Sequence, residues 1–126
     1  MIMVNEPVLN GNEKKYLQEC IDTGWISSEG PFVEKFEIKM AEYVGRNFAT
    51  SCSSGTAALD LAVTALGLKS GDEVIMPSFT IISCAHALVK LGITPVLIDS
   101  DYYTFNVNIE DIEMKITAKT KAIMVV

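Results

Sequence analysis

The chain is 126 residues long, enough for one small domain that buries roughly two-thirds of the surface its unfolded form exposes. Hydrophobic residues make up 49% and charged residues 21%, a balance that excludes a disordered tail or a low-complexity linker. Acidic residues outnumber basic ones by 16 to 10 for a net charge of −6, and Arg46 is the sole arginine, so a nucleic-acid interface built from clustered Lys and Arg is not expected.

The opening Met1-Ile2-Met3-Val4-Asn5-Glu6 lacks the basic and long apolar segments of a secretory signal. The longest apolar stretch, Ala57 to Leu68, is broken by Asp60 and Thr64 and falls well short of the roughly 20 residues a bilayer requires, so no membrane partner is expected. Cys20, Cys52 and Cys84 form no CxxC pair, which reads as free thiols in a reducing cytoplasm.

Two amphipathic helices come first. Asn10 or Asn12 caps one that runs through Asp22, with Tyr16, Leu17, Cys20 and Ile21 on one face, and Thr23-Gly24 ends it. Trp25 to Gly30 forms a loop. Pro31 then opens a second helix that is expected to bury Phe32, Phe36, Met40 and Tyr43 and to stop at Gly45. From Asn47 onward, short β-type runs alternate with helices that are apolar nearly all round, the pattern of a parallel sheet covered by helices. The expected elements are a strand at Phe48-Ser51, a helix from Gly55 to Leu66, a strand at Glu73-Met76 and a helix from Thr80 to Leu91. A strand at Pro95-Ile98, an acidic Tyr-containing loop, a helix at Ile109-Lys115 and a strand from Lys121 to Val126 follow. No turn, cap or polar exit follows that last strand, and the expectation is a truncated piece of a longer protein with two parts, residues 1–46 and 47–126.

The sharpest local feature is Ser51-Cys52-Ser53-Ser54-Gly55-Thr56-Ala57-Ala58-Leu59, small and hydroxylated residues between a strand end and a helix start. Unpaired N–H groups, the helix dipole, a glycine that admits close approach and Ser/Thr hydroxyls together suit a phosphate. The same residues also describe an ordinary N-cap before a small-residue packing helix, and spacing alone leaves both open. Neither GxGxxG nor GxxxxGK[ST] occurs, which removes a Rossmann dinucleotide site and a P-loop. His86, the single histidine, lies in an apolar helix pattern and reads as structural or partly buried rather than as a general base, and no metal-ligand spacing accompanies it. Asp99 and Asp101 read as a solvated turn. Asp60, the one charge in its helix, faces a polar crevice or offsets the helix dipole, and Trp25 is a substrate wall or a packed anchor.

Taken in order, these segments resemble the N-terminal third of the DegT/DnrJ/StrS family of pyridoxal-phosphate-dependent nucleotide-sugar aminotransferases. The resemblance rests on Pro7-Val8-Leu9-Asn10-Gly11 with Glu13 and Tyr16, on Thr23-Gly24-Trp25-Ile26-Ser27-Ser28-Glu29-Gly30-Pro31, and on Phe36-Glu37 with Tyr43 and Gly45. It continues through Ser54-Gly55-Thr56-Ala57-Ala58-Leu59, Gly71-Asp72-Glu73-Val74-Ile75 with Pro77, Thr94-Pro95-Val96 with Asp99, and Ile116-Thr117 with Lys119-Thr120-Lys121-Ala122-Ile123. The Trp-Ile-Ser-Ser loop and the Lys-Thr-Lys-Ala-Ile-Met ending are most similar to GDP-perosamine synthase-like enzymes, which aminate a 4-keto-6-deoxy sugar.

The resemblance implies the α/β large domain of the fold-type-I PLP transferases, three-layered α/β/α and preceded by two N-terminal helices. It implies pyridoxal 5'-phosphate as cofactor, its phosphate held by Gly55 and Thr56. Ser54 stands where relatives carry Asn, and Ile81 where an aromatic residue stacks on the pyridine ring; an aliphatic group there still covers a ring face by dispersion. It places Trp25, Ser27 and Ser28 near the substrate. It further implies a cytoplasmic homodimer that takes a nucleotide-linked keto sugar and an amino-acid donor, glutamate, in O-antigen or related polysaccharide synthesis. The Schiff-base lysine and the carboxylate on the pyridine nitrogen fall outside the region covered, so no catalytic lysine is assigned and the chain alone is expected to be inactive. The competing reading is an inactive remnant or a phosphate-binding module.

Overall fold

The computed structural model describes residues 2–3 and 5–126, and they divide into two compact units, Met1–Ser51 and Cys52–Val126.

The first unit holds two helices, α1 (Glu13–Thr23) and α2 (Pro31–Tyr43). Asn12 occupies the cap position of α1 without a side-chain bond, and Glu13 offsets the positive end of the dipole. Gly24 closes the helix in the left-handed region, its N–H donating to the Ile21 carbonyl at 3.2 Å. The Tyr16 and Phe32 rings, 5.2 Å apart, join the helices, and the Lys35 ammonium sits about 6 Å from both. Of the face expected to be buried along α2, only Phe32 is partly so. Phe36 is 53% exposed and Tyr43 87%, Met40 is exposed as well, and Ala41 is the buried residue. The stripe has helical period, but beyond the Tyr16 contact with Phe32 its residues Phe36, Met40 and Tyr43 stay exposed.

No strand forms at Phe48-Ser51. A strand needs a neighbour for its ladder, and here the Ser51 N–H donates instead to the Glu37 carboxylate at 2.8 Å, with the Ser51 hydroxyl on the same oxygen at 2.9 Å.

The second unit holds α3 (Gly55–Ala65), β1 (Glu73–Pro77), α4 (Ile82–Val89), β2 (Thr94–Ile98), α5 (Ile109–Met114) and β3 (Thr120–Ile123). The three strands form one parallel sheet in the order β2-β1-β3, with Glu73 opposite Thr94, Ile75 opposite Val96 and Pro77 opposite Ile98. β1 also faces β3 at Ile75–Ile123, with a register shift between Glu73 and Val74. Val74 and Met76 of β1 pack with Val63 of α3, with Cys84, Ala87 and Leu88 of α4, and with Ile93. That cluster is the core, and each fully buried aliphatic side chain contributes about 1.5–3 kcal/mol. Buried β-branched and long aliphatic side chains in the central strand are what the unbroken apolar runs required.

Two elements are shorter than their patterns. α4 begins at Ile82 rather than Thr80, because Ile81 stays extended at φ −69° and ψ 138°. β3 ends at Ile123, although the Met124 N–H still donates to the Ile75 carbonyl at 2.8 Å. His86 is exposed on α4, so its apolar neighbours do not bury it. No helix among the described residues is long and apolar enough to cross a membrane.

Candidate functional site

β1 ends at Pro77, and the next N–H, of Ser78, donates to the Ile98 carbonyl at 2.8 Å, aligning the carboxyl ends of β1 and β2. The chain then enters α4, so the N-terminus of α4 lies at that end of the sheet. α3 brings its own N-terminus alongside, because Oγ1 of Thr56 and Oγ of Ser83 are 2.9 Å apart. In open α/β sheets this carboxyl end is where ligands bind.

Ser54 caps α3 through its hydroxyl, which accepts from the Ala57 N–H at 3.2 Å. That bond leaves the Gly55 and Thr56 amides and the Thr56 hydroxyl at the open tip of the helix. A Cβ built on Gly55 meets no atom within 4 Å, so the space beside it is free. Neither α3 nor α4 has an acidic residue in its first turn, whereas α1 has Glu13, α2 has Glu34, and α5 has Glu110 and Asp111. The two positive helix ends that meet here are therefore the ones without a local carboxylate. That donor set, amides and hydroxyls on an uncompensated dipole, fits a phosphate dianion.

Ile81 is the cap residue of α4 and 64% exposed, two residues before Ser83. The structure thus gathers Ser54, Gly55, Thr56 and Ile81 at two adjoining helix starts. An open concavity of about 320 Å³ also lies at the strand ends, lined by Ser78, Phe79, Asp99, Ser100, Asp101, Tyr102 and Phe105. Asp101 is committed to its own turn: one carboxylate oxygen accepts the Tyr103 and Thr104 N–H groups and the Thr104 hydroxyl. Those bonds, the Thr104 amide foremost, hold its carboxyl below the ordinary 3.8.

The Trp25–Ser28 loop belongs to the first unit. Trp25 and Ser28 line an open concavity of about 620 Å³ with Glu29, Gly30, Pro31, Val33, Glu34 and Glu37. Ser27 is not among its walls; its hydroxyl donates to the Glu29 carbonyl at 3.0 Å and braces the turn. Gly30 adopts φ +149°, and a Cβ there would meet the Trp25 ring at 3.3 Å, so the indole and the glycine fix each other. Ser83 had no sequence signal as a site residue. Starting α4 at Thr80 sets Ser83 in the helix body, and only the later start at Ile82 moves it to the helix tip.

A family profile, that of the DegT/DnrJ/EryC1/StrS aminotransferase family, matches residues 7–126. A GDP-perosamine synthase from Vibrio cholerae is 47% identical over 126 residues, all of this chain and 34% of the relative. A GDP-perosamine synthase from Escherichia coli O157:H7 is 50% identical over 125 residues, 99% of this chain and 34% of the relative. The chain spans about a third of the length of these curated relatives. Among solved structures, a GDP-4-keto-6-deoxymannose-3-dehydratase with a trapped PLP-glutamate geminal diamine aligns with a TM-score of 0.87 at 29% identity, covering 95% of this chain and 32% of that one. The aminotransferase TlmJ from Streptoalloteichus hindustanus aligns with a TM-score of 0.84 at 32% identity, covering 98% and 34%.

Proposed function

The chain belongs to the DegT/DnrJ/EryC1/StrS aminotransferase family, and on that premise we propose that it is the N-terminal portion of a sugar aminotransferase and carries the phosphate end of its cofactor site. Its fold is that of the matching part of a PLP-bound sugar dehydratase and of the aminotransferase TlmJ. The observation that carries the reading is the pair of helix N-termini at the carboxyl end of the sheet, joined by Thr56 and Ser83 and free of first-turn carboxylates.

In this reading Gly55 and Thr56 hold the phosphate by their amides and the Thr56 hydroxyl, with Ser54 fixing the helix end that presents them. Ile81 covers one face of the pyridine ring. When bound, pyridoxal 5'-phosphate supplies the electron sink that exchanges an amino for a keto group. Trp25 and Ser28 form a wall for the sugar, and Ser27 holds their loop in shape. The parent enzyme takes its amino group from glutamate and delivers it to a nucleotide-linked keto sugar, as in the conversion of GDP-4-keto-6-deoxymannose to GDP-perosamine. It works as a cytoplasmic homodimer in O-antigen or similar polysaccharide synthesis, with residues 1–46 as a helical segment and 47–126 as part of the large domain.

The test is a phosphorus-31 NMR titration of the full chain with pyridoxal phosphate. Gly55→Asp, which sets a carboxylate on the helix tip, and Thr56→Val weaken the perturbation of the phosphate resonance, whereas the binding of pyridoxal, which lacks the phosphate and is followed by proton NMR, responds to neither change. A wild-type chain that leaves the resonance unmoved, or variants that match it, overturn the reading.

A further inference from the structure

Resting on the phosphate reading above, we propose that Ser83 is a positioning residue that orients the Thr56 hydroxyl toward the cofactor phosphate. Thr56 is exposed at the second position of α3, and Ser83, half-buried, at the second position of α4, their oxygens 2.9 Å apart. At the second position of α3, Thr56 has no preceding helical turn whose carbonyls its hydroxyl could bond, so its own helix does not fix its rotamer. The Ser83 contact selects the rotamer that faces across to α4.

Either hydroxyl is able to donate in this pair. An anion at the α3 tip decides the direction. Ser83 donates to Thr56, Thr56 donates to the anion, and each bond polarises the next. In that arrangement Ser83 need not touch the phosphate. It strengthens the Thr56 bond and holds the two helix starts, both lacking first-turn acids, against each other.

The test measures affinity of the full chain for pyridoxal phosphate by the same phosphorus-31 titration, with pyridoxal, followed by proton NMR, as the phosphate-free probe. Ser83→Ala is expected to weaken pyridoxal phosphate about three- to tenfold, the range of one hydrogen bond, and to leave pyridoxal unchanged. Ser83→Thr, which keeps the hydroxyl, retains wild-type affinity and guards against a folding defect. The double variant Thr56→Val with Ser83→Ala binds no more weakly than Thr56→Val alone, because Ser83 acts through Thr56. Losses that add in the double variant, or an equal loss for both probes, overturn the proposal while leaving the phosphate reading in place. A Thr56→Val variant that binds like wild type removes that reading, and this proposal with it.

Discussion

The Lys90 ammonium lies 2.7 Å from Oδ2 of Asp60, pinning the end of α4 to the middle of α3. Asp60 is the one charge in α3, and its carboxylate is half-sequestered, with Oδ1 buried and unpartnered. The pair is thus an inter-helix tie in which the carboxylate depends on the lysine more than the lysine, 55% exposed, depends on it. Lys90→Met leaves that carboxylate without its cation and is expected to cost about 1–2 kcal/mol. Replacing both members, as Asp60→Leu with Lys90→Met, loses less than Lys90→Met alone. Urea midpoints at unchanged slope measure both, and a double variant weaker than the single would refute the tie.

Gly92 sits at φ +72° in the turn between α4 and β2, where a Cβ would come within 2.7 Å of Ser70 Oγ and 3.1 Å of Ser70 Cβ. Its carbonyl accepts the Gly71 N–H at 3.0 Å, so the turn has little room to shift. Gly67 has φ +66° with open space around its Cβ position. Gly67→Ala is expected to cost about 1 kcal/mol, the left-handed penalty alone, and Gly92→Ala more than that. Adding Ser70→Gly to Gly92→Ala removes the side chain that the Cβ meets and recovers part of the loss, the rest being the left-handed penalty and the entropy of the new glycine. Thermal melts of the four chains check the ordering.

Local chemistry made much of this legible in advance. Pro31, Gly24 and Gly92 punctuate helices whatever surrounds them, and the apolar run at Val74-Ile75-Met76 could only be a covered strand. Phe48-Ser51 failed because a strand is a relation between two segments, and Ser51 found a carboxylate rather than a ladder. Phe36 and Tyr43 failed for a similar reason: periodicity identifies the face that would be buried, not whether something covers it. At the site, Ser54-Gly55-Thr56 stands out by residue type and leaves a plain cap and a phosphate cup both open, and the meeting of two helix ends that supports the proposed cup lies beyond what spacing shows. The Thr56–Ser83 contact spans 27 positions and leaves no trace in spacing.

Glu37 gives a pH-dependent signature. The Ser51 N–H, and after it the Ser51 hydroxyl, hold the Glu37 carboxyl below the ordinary 4.5. A lowered value means that the ionised form is favoured in the folded unit. Its contribution to stability is therefore fully present above pH 4.5 and is lost as pH falls through the lowered value. Ser51→Ala removes the hydroxyl but keeps the larger, main-chain bond. Carbon-13 titration of the Glu37 carboxyl is expected to show a value below 4.5 that rises part of the way back in Ser51→Ala. A full return to 4.5, or none, would contradict this division between amide and hydroxyl.

The lysines of the second unit stand away from the helix tips proposed to hold the cofactor, which sets an expectation for chemical trapping. Lys90 lies at the C-terminal end of α4, and at 1.5 Å per residue the eight residues of that helix separate it from the α4 tip by about 12 Å. Lys69, Lys119 and Lys121 cluster at the amino end of the sheet: the Glu73 N–H donates to the Lys119 carbonyl, and the Lys69 N–H is held by Asp72 just before β1 begins. Lys115 comes closest to the carboxyl end, but its ammonium donates to the Leu97 carbonyl at 3.0 Å, one residue short of the end of β2. The ammonium groups of Lys90, Lys115 and Lys121 are held by the Asp60 carboxylate, the Leu97 carbonyl and the Ala118 carbonyl, respectively. Mixing the chain with pyridoxal phosphate, reducing with borohydride and mapping the product by mass spectrometry is expected to give scattered, substoichiometric labelling and no amino-group transfer from glutamate. One lysine modified at unit stoichiometry, and protected by inorganic phosphate, would show that a side chain of this chain reaches the cofactor after all.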